Sequence, residues 1–485
     1  MKPAQKIAVI DIGSNSCRMV IYEQAGGALI PYFNEKAMAG LGRDLAETGR
    51  LSPSGKELAL QTFHRFRAIT NSLKIKNVRA VATAAVREAI DGEEFKEDAE
   101  RILGVPIQVL TGADEGRLSA LGVSVGFFNP SGLVADLGGT SMELLPLDDD
   151  SKGETFLLGP LARSKDVDLT PEKRAKAIRK ILSGTKLTAE KQGGKLYAVG
   201  GAWRNVAAVH MMLRNYPLRV AHGYKMSRSD VRNVIEAADL AKSDKLTREQ
   251  LQGVSKRRFD TLLHAAILLE TLMDQTDSED VVISSFGLRD GVAAQGLKSD
   301  GASGLLDAVP LFLRSSQEAV LFGQELFSFI FPISSHFKQS EPVLRAICLM
   351  ADAGARMHPD HRANLVYEQV LRAPVPALSH PQRLFAAYAA ASRYTFKYIE
   401  EPAYAGMLKL SMKRRAKILG CAMRLAAVYS GRSGPILATA RLSVADGALC
   451  MHVDRDYSDL ISDTVERRLG QLSGLLKLHP RLIVE

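Results

Sequence analysis

The 485-residue sequence contains few cysteines, few aromatic residues and no long apolar run. Its four scattered cysteines include no CxxC pair, which argues against a disulfide framework or a structural zinc site and fits a reducing cytosol. No apolar run is long enough to span a bilayer, and the N-terminal segment reaches Asp11 too soon for the apolar region of a signal peptide. The sequence therefore predicts a cytoplasmic protein with no membrane partner.

Basic residues exceed acidic ones by nine. A positive excess favours polyanionic partners through electrostatic attraction and counterion release, although a generally basic surface without a polymer partner explains the charge equally well. The single tryptophan, and the absence of zinc-finger or aromatic–basic patterns, give no support for specific nucleic-acid binding. Candidate contacts for a chain-like anion are Lys191, Lys195 and the basic segments 256–258 and 413–415.

One sequence pattern occurs twice, as VIDIGSNSCRMVIY (9–22, the first hairpin) and LVADLGGTSMELLP (133–146, the second hairpin). Each copy has an apolar strand that reaches an aspartate, a turn of glycine and small polar residues, and a second apolar strand. The matched pairs are Asp11 and Asp136, Gly13 and Gly138, and Ser16 and Ser141. The pattern predicts two β-hairpins whose turns offer backbone N–H groups to an anion, in a duplicated fold with a cleft between the copies.

Small residues in both turns would let the backbone approach phosphate oxygens closely. The candidate phosphate-binding residues are Gly13, Ser14 and Asn15 in the first hairpin, with Arg18 on its returning strand, and Gly138, Gly139, Thr140 and Ser141 in the second. A lone hairpin of this kind is as often an ordinary turn with a satisfied aspartate, and the second copy is what favours phosphate binding. Asp11 and Asp136 would face each other across the cleft, where a hydrated Mg²⁺ (or another divalent cation) is chemically natural. Glu143 stands where the first copy has Arg18, which predicts that one hairpin holds the anion and the other the metal.

The periodicity predicts two α/β domains, 1–126 and 127–300, followed by a mainly helical domain, 301–485, after a linker near 298–304. In the last domain the segment 436–453 is rich in strand-forming residues, with Asp446–Gly447 as a hairpin turn. The predicted helices include 51–75, 84–103 (interrupted near residue 91) and 171–182, and the predicted strands include 77–83, 105–112, 196–201 and 281–285.

Two further turns, AVGGAWRN (198–205) and SSFGLRDG (284–291), place glycine before a predicted helix N-terminus. Such ends favour anions or a nucleoside phosphate, although a lone Gly-Gly before a helix is more often a tight packing turn. The sequence contains no GxxxxGK[ST] motif, which disfavours a P-loop NTPase.

Five motifs together resemble the exopolyphosphatase/guanosine pentaphosphate phosphohydrolase family of the actin-like ATPase and sugar-kinase superfamily. They are DIGSNSCRMVI, ATAAVREA (82–89), LTGADEGRLSALGV (110–123), ADLGGTSMEL (135–144) and GLRDGV (287–292). The resemblance implies two duplicated actin-like (ribonuclease H-like) domains with a cleft between them and a mainly α-helical, HD-like C-terminal domain. The sequence departs from the family pattern at Thr140, Met142 and Asp114.

The resemblance implies that Glu115 is the catalytic base and that Arg87 holds the terminal phosphate with Asn15 and Arg18. From the residues alone, Asp114 and Glu115 are explained as well by the preference of acidic side chains for a helix N-terminus. Asp114 has the spacing from Thr111 that is typical of a capping box, so we expect Asp114 to be the cap.

The implied function is exopolyphosphatase activity on inorganic polyphosphate with Mg²⁺, in a homodimer. Guanosine pentaphosphate hydrolysis is the first alternative, and a kinase or ATPase of the same superfamily and a non-catalytic polyphosphate- or alarmone-binding regulator are the others. The segment 349–362 resembles an HD phosphohydrolase helix, but Ala351 stands where a histidine would precede Asp352. Because one imidazole ligand is missing, we expect no dinuclear metal centre there.

Overall fold

A computed structural model describes residues 4–163, 169–190, 193–255, 259–297, 301–398 and 400–485. The chain forms two compact units. The larger unit comprises Ala4–Gln24 and Leu29–Gly301, and the smaller unit contains Ala25–Ala28 and Ala302–Glu485. The candidate residues of both hairpins lie in the larger unit, and the sequence-based boundary at residue 126 stays a prediction.

The first sheet of the larger unit has the strand order β3-β2-β1-β4-β5. Strand β1 pairs antiparallel with β2 and parallel with β4, which pairs parallel with β5. The strands are β1 Gln5–Ile12, β2 Cys17–Ala25, β3 Ala28–Ala37, β4 Asn77–Ala82 and β5 Ile107–Val109. The helices of this region are α1 Leu45–Thr48, α2 Pro53–Ser72, α3 Ala84–Glu88, α4 Gly92–Leu103 and α5 Gly112–Gly126. The helices and strands predicted here from periodicity are confirmed.

The second sheet has the order β10-β11-β9-β6-β7-β8. Read from β8 to β11 it repeats the order of the first sheet, with β10 added at the edge, so the predicted duplication is confirmed. Its strands are β6 Leu133–Leu137, β7 Met142–Pro146, β8 Glu154–Phe156, β9 Leu196–Val199, β10 Lys225–Ser227 and β11 Asp280–Ile283. The helices are α6 Pro171–Leu182, α7 Leu187–Glu190, α8 Gly201–Leu213, α9 Arg228–Leu240, α10 Lys245–Ser255, α11 Phe259–Gln275 and α12 Leu288–Ala294.

Strand β1 is apolar without alternation because the first sheet is covered on both faces. On one face, Ala8 and Ile10 belong to a buried cluster with Phe63 and Phe66 of α2. On the other face, Ile7 and Val9 share a cluster with side chains of α5 and α12, among them Leu118 and Val292. The strand that ends at the first hairpin turn is therefore held from both sides.

Helices α5 and α12 approach each other through glycine. A Cβ added to Gly291 would lie 1.8 Å from the carbonyl oxygen of Leu118, and one added to Gly122 would lie 2.2 Å from the carbonyl oxygen of Gly287. No side chain fits at either position without displacing backbone. This contact fixes the position of α5, which carries Glu115, relative to α12, which carries Arg289.

The smaller unit is mainly helical, as predicted, and ends in a three-stranded sheet of order β12-β13-β14. In the predicted hairpin turn, Asp446 has φ 49° and Gly447 has φ 70°, the left-handed pair that joins two antiparallel strands tightly. Strand β14 pairs parallel with β13 and was not predicted. The elements are α13 Ala302–Leu313, α14 Gln317–Ile330, α15 Glu341–Leu349, α16 Arg362–Leu371, α17 His380–Tyr394, α18 Leu410–Ser430, α19 Gly434–Leu437, β12 Ala440–Ala445, β13 Ala448–Val453, α20 Asp463–Leu476 and β14 His479–Val484.

The structure describes only some of the basic residues that were predicted to contact a chain-like anion. Lys191 and the segment 256–258 lie outside the described residues. In the segment 413–415, Lys413 pairs with Glu400, and Arg415 donates to the carbonyl oxygen of His336 at 2.6 Å, so these charges are partly engaged within the unit. Among the described residues, no helix is both long and apolar enough to cross a membrane.

Replacing Gly291 with alanine should destabilise the larger unit by about 3 kcal/mol, because the new methyl group overlaps the backbone of α5. Urea unfolding followed by the fluorescence of Trp203, which is fully buried in this unit, measures the change. The control is Gly253→Ala in α10, where an added Cβ meets nothing within 4 Å. Equal unfolding midpoints for the two variants would contradict the close contact.

Candidate active site

The two hairpin turns line one cavity of about 230 Å³ in the larger unit. Most predicted site residues line it, namely Asp11, Gly13, Ser14, Asn15, Arg18, Glu115, Asp136, Gly138, Gly139, Thr140, Ser141 and Glu143. Among the described residues, Arg87 is the predicted site residue that does not line the cavity. The structure thus brings together side chains from widely separated parts of the sequence.

The two turns have the same local geometry. The backbone N–H of Gly13 donates to the carbonyl oxygen of Ser16 at 3.1 Å, and that of Gly138 donates to Ser141 at 2.9 Å. In the strand register, Asp11 lies opposite Arg18, and in the second copy Asp136 lies opposite Glu143. The sequence repeat is therefore a structural repeat, and the exchange of arginine for glutamate gives one side of the cavity a cation and the other a second carboxylate.

Glu115 lies in the first turn of α5, and its neighbour Asp114 caps that helix, as predicted. The backbone N–H of Asp114 donates to Thr111 Oγ1 at 3.1 Å, and the carboxylate of Asp114 accepts from the Thr111 N–H at 3.2 Å. Because Asp114 satisfies the helix end, Glu115 is left to line the cavity, where it is 9% exposed.

Arg87 contacts the carboxylate of Glu115. Its Nη1 lies 2.7 Å from Glu115 Oε1 and also donates to the carbonyl oxygen of Leu110. Burial raises the pKa of Glu115 to about 7, and the nearby carboxylates of Asp136 and Asp11 add to this, while Arg87 opposes it. A carboxyl that titrates near neutrality is suited to accept a proton from water.

Glu143 and Asp136 lie buried on the other side of the cavity. Burial, followed by the charges of Glu115 and Asp136, holds the pKa of Glu143 well above its usual range, and Glu143 Oε1 has no hydrogen-bond partner among the described residues. Burial also raises the pKa of Asp136, which accepts a hydrogen bond from Ser119 Oγ. These groups share an excess of negative charge that a cation would relieve.

The donor set fits a hydrated Mg²⁺. Within the described ranges, no three His, Cys, Asp or Glu side chains are grouped as direct ligands of one metal ion. Mg²⁺ does not need such a group, since it is commonly held by one or two carboxylates together with water and substrate phosphate. The unpartnered oxygen of Glu143 and the raised pKa of both carboxyls fit this mode, and the metal stays a prediction.

Like Arg204, which also lines the cavity, Arg289 is a site residue that the sequence analysis did not assign. It lies in the first turn of α12, lines the cavity, and places Nη1 2.6 Å from Asp11 Oδ2. Burial and the charge of Arg289 lower the pKa of Arg18, so two guanidinium groups lie close enough to interact. The available signal was the motif GLRDGV, which supported the family resemblance but gave no role to its arginine.

Asp290 holds this part of the site in place. Its carboxylate accepts from the Gly287 backbone N–H at 2.9 Å and from the Tyr22 hydroxyl at 3.1 Å. The first bond caps α12, and the second joins α12 to strand β2. Because arginines and carboxylates line the same cavity, it is suited to a phosphoryl group with an accompanying cation.

Glu115→Gln should stabilise the larger unit at neutral and alkaline pH. The pKa of Glu115 rises from 4.5 to about 7 on folding, so the free energy of unfolding falls as pH rises between these values. Above pH about 7 the variant should be more stable by up to about 3 kcal/mol, and near pH 4.5 the difference should vanish. Urea unfolding monitored by Trp203 fluorescence at several pH values measures this difference.

The matched control for that experiment is Glu88→Gln. Glu88 Oε1 lies 3.5 Å from Nη2 of the same Arg87, but the Glu88 side chain is 46% exposed. We expect no comparable gain in stability, and an equal gain in both variants would contradict the electrostatic cost of burying Glu115.

Two family models and several curated proteins match this chain. Residues 20–300 match the model of the Ppx/GppA phosphatase family, and residues 317–483 match the model described as exopolyphosphatase, C-terminal. Proteins named exopolyphosphatase 1 from Mycobacterium bovis and Mycobacterium tuberculosis are each 26% identical over 309 residues, which is 61% of this chain and 89% of theirs.

Solved structures show the same fold. The Ppx/GppA family member from Aquifex aeolicus is 25% identical, with a TM-score of 0.53 over 61% of this chain and 98% of its own. An exopolyphosphatase from Cytophaga hutchinsonii is 20% identical and shows the fold alone, with a TM-score of 0.54 over 60% of this chain and 98% of its own. The predicted pair of actin-like domains and helical C-terminal region is confirmed. Since the first family model covers more than half of the sequence, the chain belongs to the Ppx/GppA phosphatase family.

Proposed function

We propose that this protein is an exopolyphosphatase, which removes terminal orthophosphate from inorganic polyphosphate. The observation that carries the proposal is the placement of Glu115, a buried carboxyl with a pKa of about 7. It lies in a cavity lined by two hairpin turns of a kind that can bind phosphate. The names of the mycobacterial relatives support the choice of substrate. The net charge of +9 favours a polyanion over an uncharged substrate.

In this proposal, the chain's own residues bind the terminal phosphoryl group and activate water. The turn backbones, with Arg18 and Arg289, bind the phosphoryl oxygens through charge-assisted hydrogen bonds. Ionised Glu115 accepts a proton from water, whose oxygen attacks the terminal phosphorus in line with the bridging oxygen. The bridging P–O bond breaks, the shortened chain leaves with that oxygen, and Glu115 then releases its proton to solvent.

Asp136 and Glu143 would hold the divalent cation, with Asp11 adjoining on the first hairpin. The cation would supply charge neutralisation for the phosphoryl oxygens. Asp136 also accepts a hydrogen bond from the Ser119 hydroxyl, which fixes the orientation of that side chain. Burial and neighbouring carboxylates raise the pKa of both Asp136 and Glu143, so a bound cation would favour their ionised forms.

Guanosine pentaphosphate is the second candidate substrate. It ends in the same kind of terminal phosphoryl group, so the interactions at Arg18, Arg289 and Glu115 would be the same, and only the leaving group would differ. We favour polyphosphate because the sequence carries a positive excess suited to a longer anion. Phosphate release from long polyphosphate, short polyphosphate and guanosine pentaphosphate, compared side by side with Mg²⁺, distinguishes the two.

Glu115→Gln should lower kcat for phosphate release by about 100-fold or more, because the amide cannot accept the water proton. Substrate binding should persist, since Gln keeps the size and hydrogen-bonding capacity of the side chain. The measurements are steady-state phosphate release and equilibrium binding of polyphosphate to the variant. Glu88→Gln is the matched control and should retain activity, and undiminished turnover in Glu115→Gln would contradict the assignment.

Arg87→Gln tests whether Arg87 lowers the pKa of Glu115 or holds the terminal phosphate of the substrate. Because Arg87 lowers the pKa of Glu115, its loss should move the limb of the kcat–pH profile that reports ionisation of Glu115 upward by about one pH unit. The expected result is therefore a fall in kcat at neutral pH that is partly recovered at higher pH, with KM little changed. A large rise in KM with an unmoved limb would instead support the phosphate-holding role that the family resemblance implies.

A further inference from the structure

A second cavity, of about 280 Å³, lies within the smaller unit and is lined mainly by arginine. Its charged lining residues are Arg362, Arg393, Arg424 and Arg432, with the ring of Tyr394 between them. Arg362 begins α16, Arg393 lies in the last turn of α17, Arg424 lies in α18 and Arg432 follows that helix. We call this cavity the arginine pocket. It is made by three helices and is separate from the hairpin cavity.

The arginine pocket lies at the position of the incomplete HD motif. Asp352, the aspartate of that motif, pairs with Arg393 Nη2 at 3.0 Å and with Arg432 Nη1 at 3.3 Å. Among the described residues, no carboxylate other than Asp352 pairs with the four arginines, and Arg362 and Arg424 have no carboxylate partner. Four positive charges and one negative charge leave a net charge of +3.

Two of these arginines have buried nitrogen atoms without an acceptor. The Nε atoms of Arg362 and Arg393 have no hydrogen-bond partner among the described residues, and the side chain of Arg393 is 5% exposed. Burial lowers the pKa of Arg393, and burial with the nearby charge of Arg468 lowers that of Arg424. Leaving buried charged donors unpaired costs free energy, which an anion would recover.

The guanidinium groups of Arg393 and Arg362 are held in place before any anion binds. The Tyr394 ring has the Arg393 guanidinium carbon 4.6 Å from its centroid and that of Arg362 at 5.2 Å, both within cation–π range. Arg362 Nη2 also donates to the carbonyl oxygen of Met357 at 3.2 Å. Since these contacts fix the side chains, less conformational entropy is lost on binding.

We propose that the arginine pocket binds an oxyanion of the phosphate class. Arg393 and Arg424 would contact it from the buried side and Arg362 and Arg432 from the rim, since guanidinium forks match tetrahedral oxyanions. This site does not depend on the function proposed for the hairpin cavity, because none of its residues lines that cavity.

The test is equilibrium binding of orthophosphate to the full-length protein and to Arg424→Gln. Arg424 is half-buried and makes no side-chain hydrogen bond among the described residues, so its replacement removes charge with little structural loss. We expect one phosphate site per chain to weaken by at least about tenfold, as for loss of a charge-assisted bond. The matched control is Arg481→Gln, at an exposed position of β14. This variant should bind orthophosphate with the affinity of the unmodified chain.

Identical isotherms for Arg424→Gln and Arg481→Gln would overturn the proposal. Arg424→Lys should keep part of the affinity, and circular dichroism melting checks that each variant folds. If Arg424→Gln melts early, Arg432→Gln on the half-exposed rim replaces it, with the same tenfold loss expected and unchanged binding counting against the site. Parallel titrations with guanosine 5′-monophosphate show whether the favoured ligand is free phosphate or a phosphate group carried on a larger molecule.

Discussion

The larger unit is organised around the burial of several carboxylates beside one cavity. Burial raises the pKa of Glu115, Asp136 and Glu143, and the charges of neighbouring carboxylates raise it further. Such an arrangement opposes folding and persists because the surrounding frame is rigid. Strand β1 is covered on both faces, and the glycine contact between α5 and α12 cannot relax without moving backbone. In the function we propose, a bound cation and phosphoryl group would offset the cost of burying these carboxylates.

The duplication provides two similar hairpins, and their difference gives the cavity its polarity. Both turns make the same Gly-to-Ser backbone hydrogen bond. Opposite the aspartate that both copies share, however, one copy has Arg18 and the other Glu143. Arg289 adds a second cation on the side of the first hairpin by pairing with Asp11. In the proposed function, Arg18 and Arg289 would bind the phosphoryl oxygens, and Glu143 would help to hold the cation.

Local patterns made much of this predictable from the sequence. The hairpins, the Thr111–Asp114 capping box and the Asp446–Gly447 turn depend on residues a few positions apart, and all are confirmed. Arg289 was missed because its contact with Asp11 depends on packing between α12 and the first sheet, which no local pattern records. The pairing of Arg87 with Glu115 and the parallel strand β14 were missed for the same reason. In the smaller unit, the loss of the HD histidine was visible, but the arginines that surround Asp352 come from separate helices.

The most direct test of the central claim is polyphosphate hydrolysis in water labelled with oxygen-18, without any nucleotide. If Glu115 activates water for attack on the terminal phosphorus, each released orthophosphate carries one labelled oxygen and the shortened chain carries none. Mass spectrometry of both products measures this. Label found at the new chain end, or phosphate release that requires a nucleotide or another acceptor, would contradict the account.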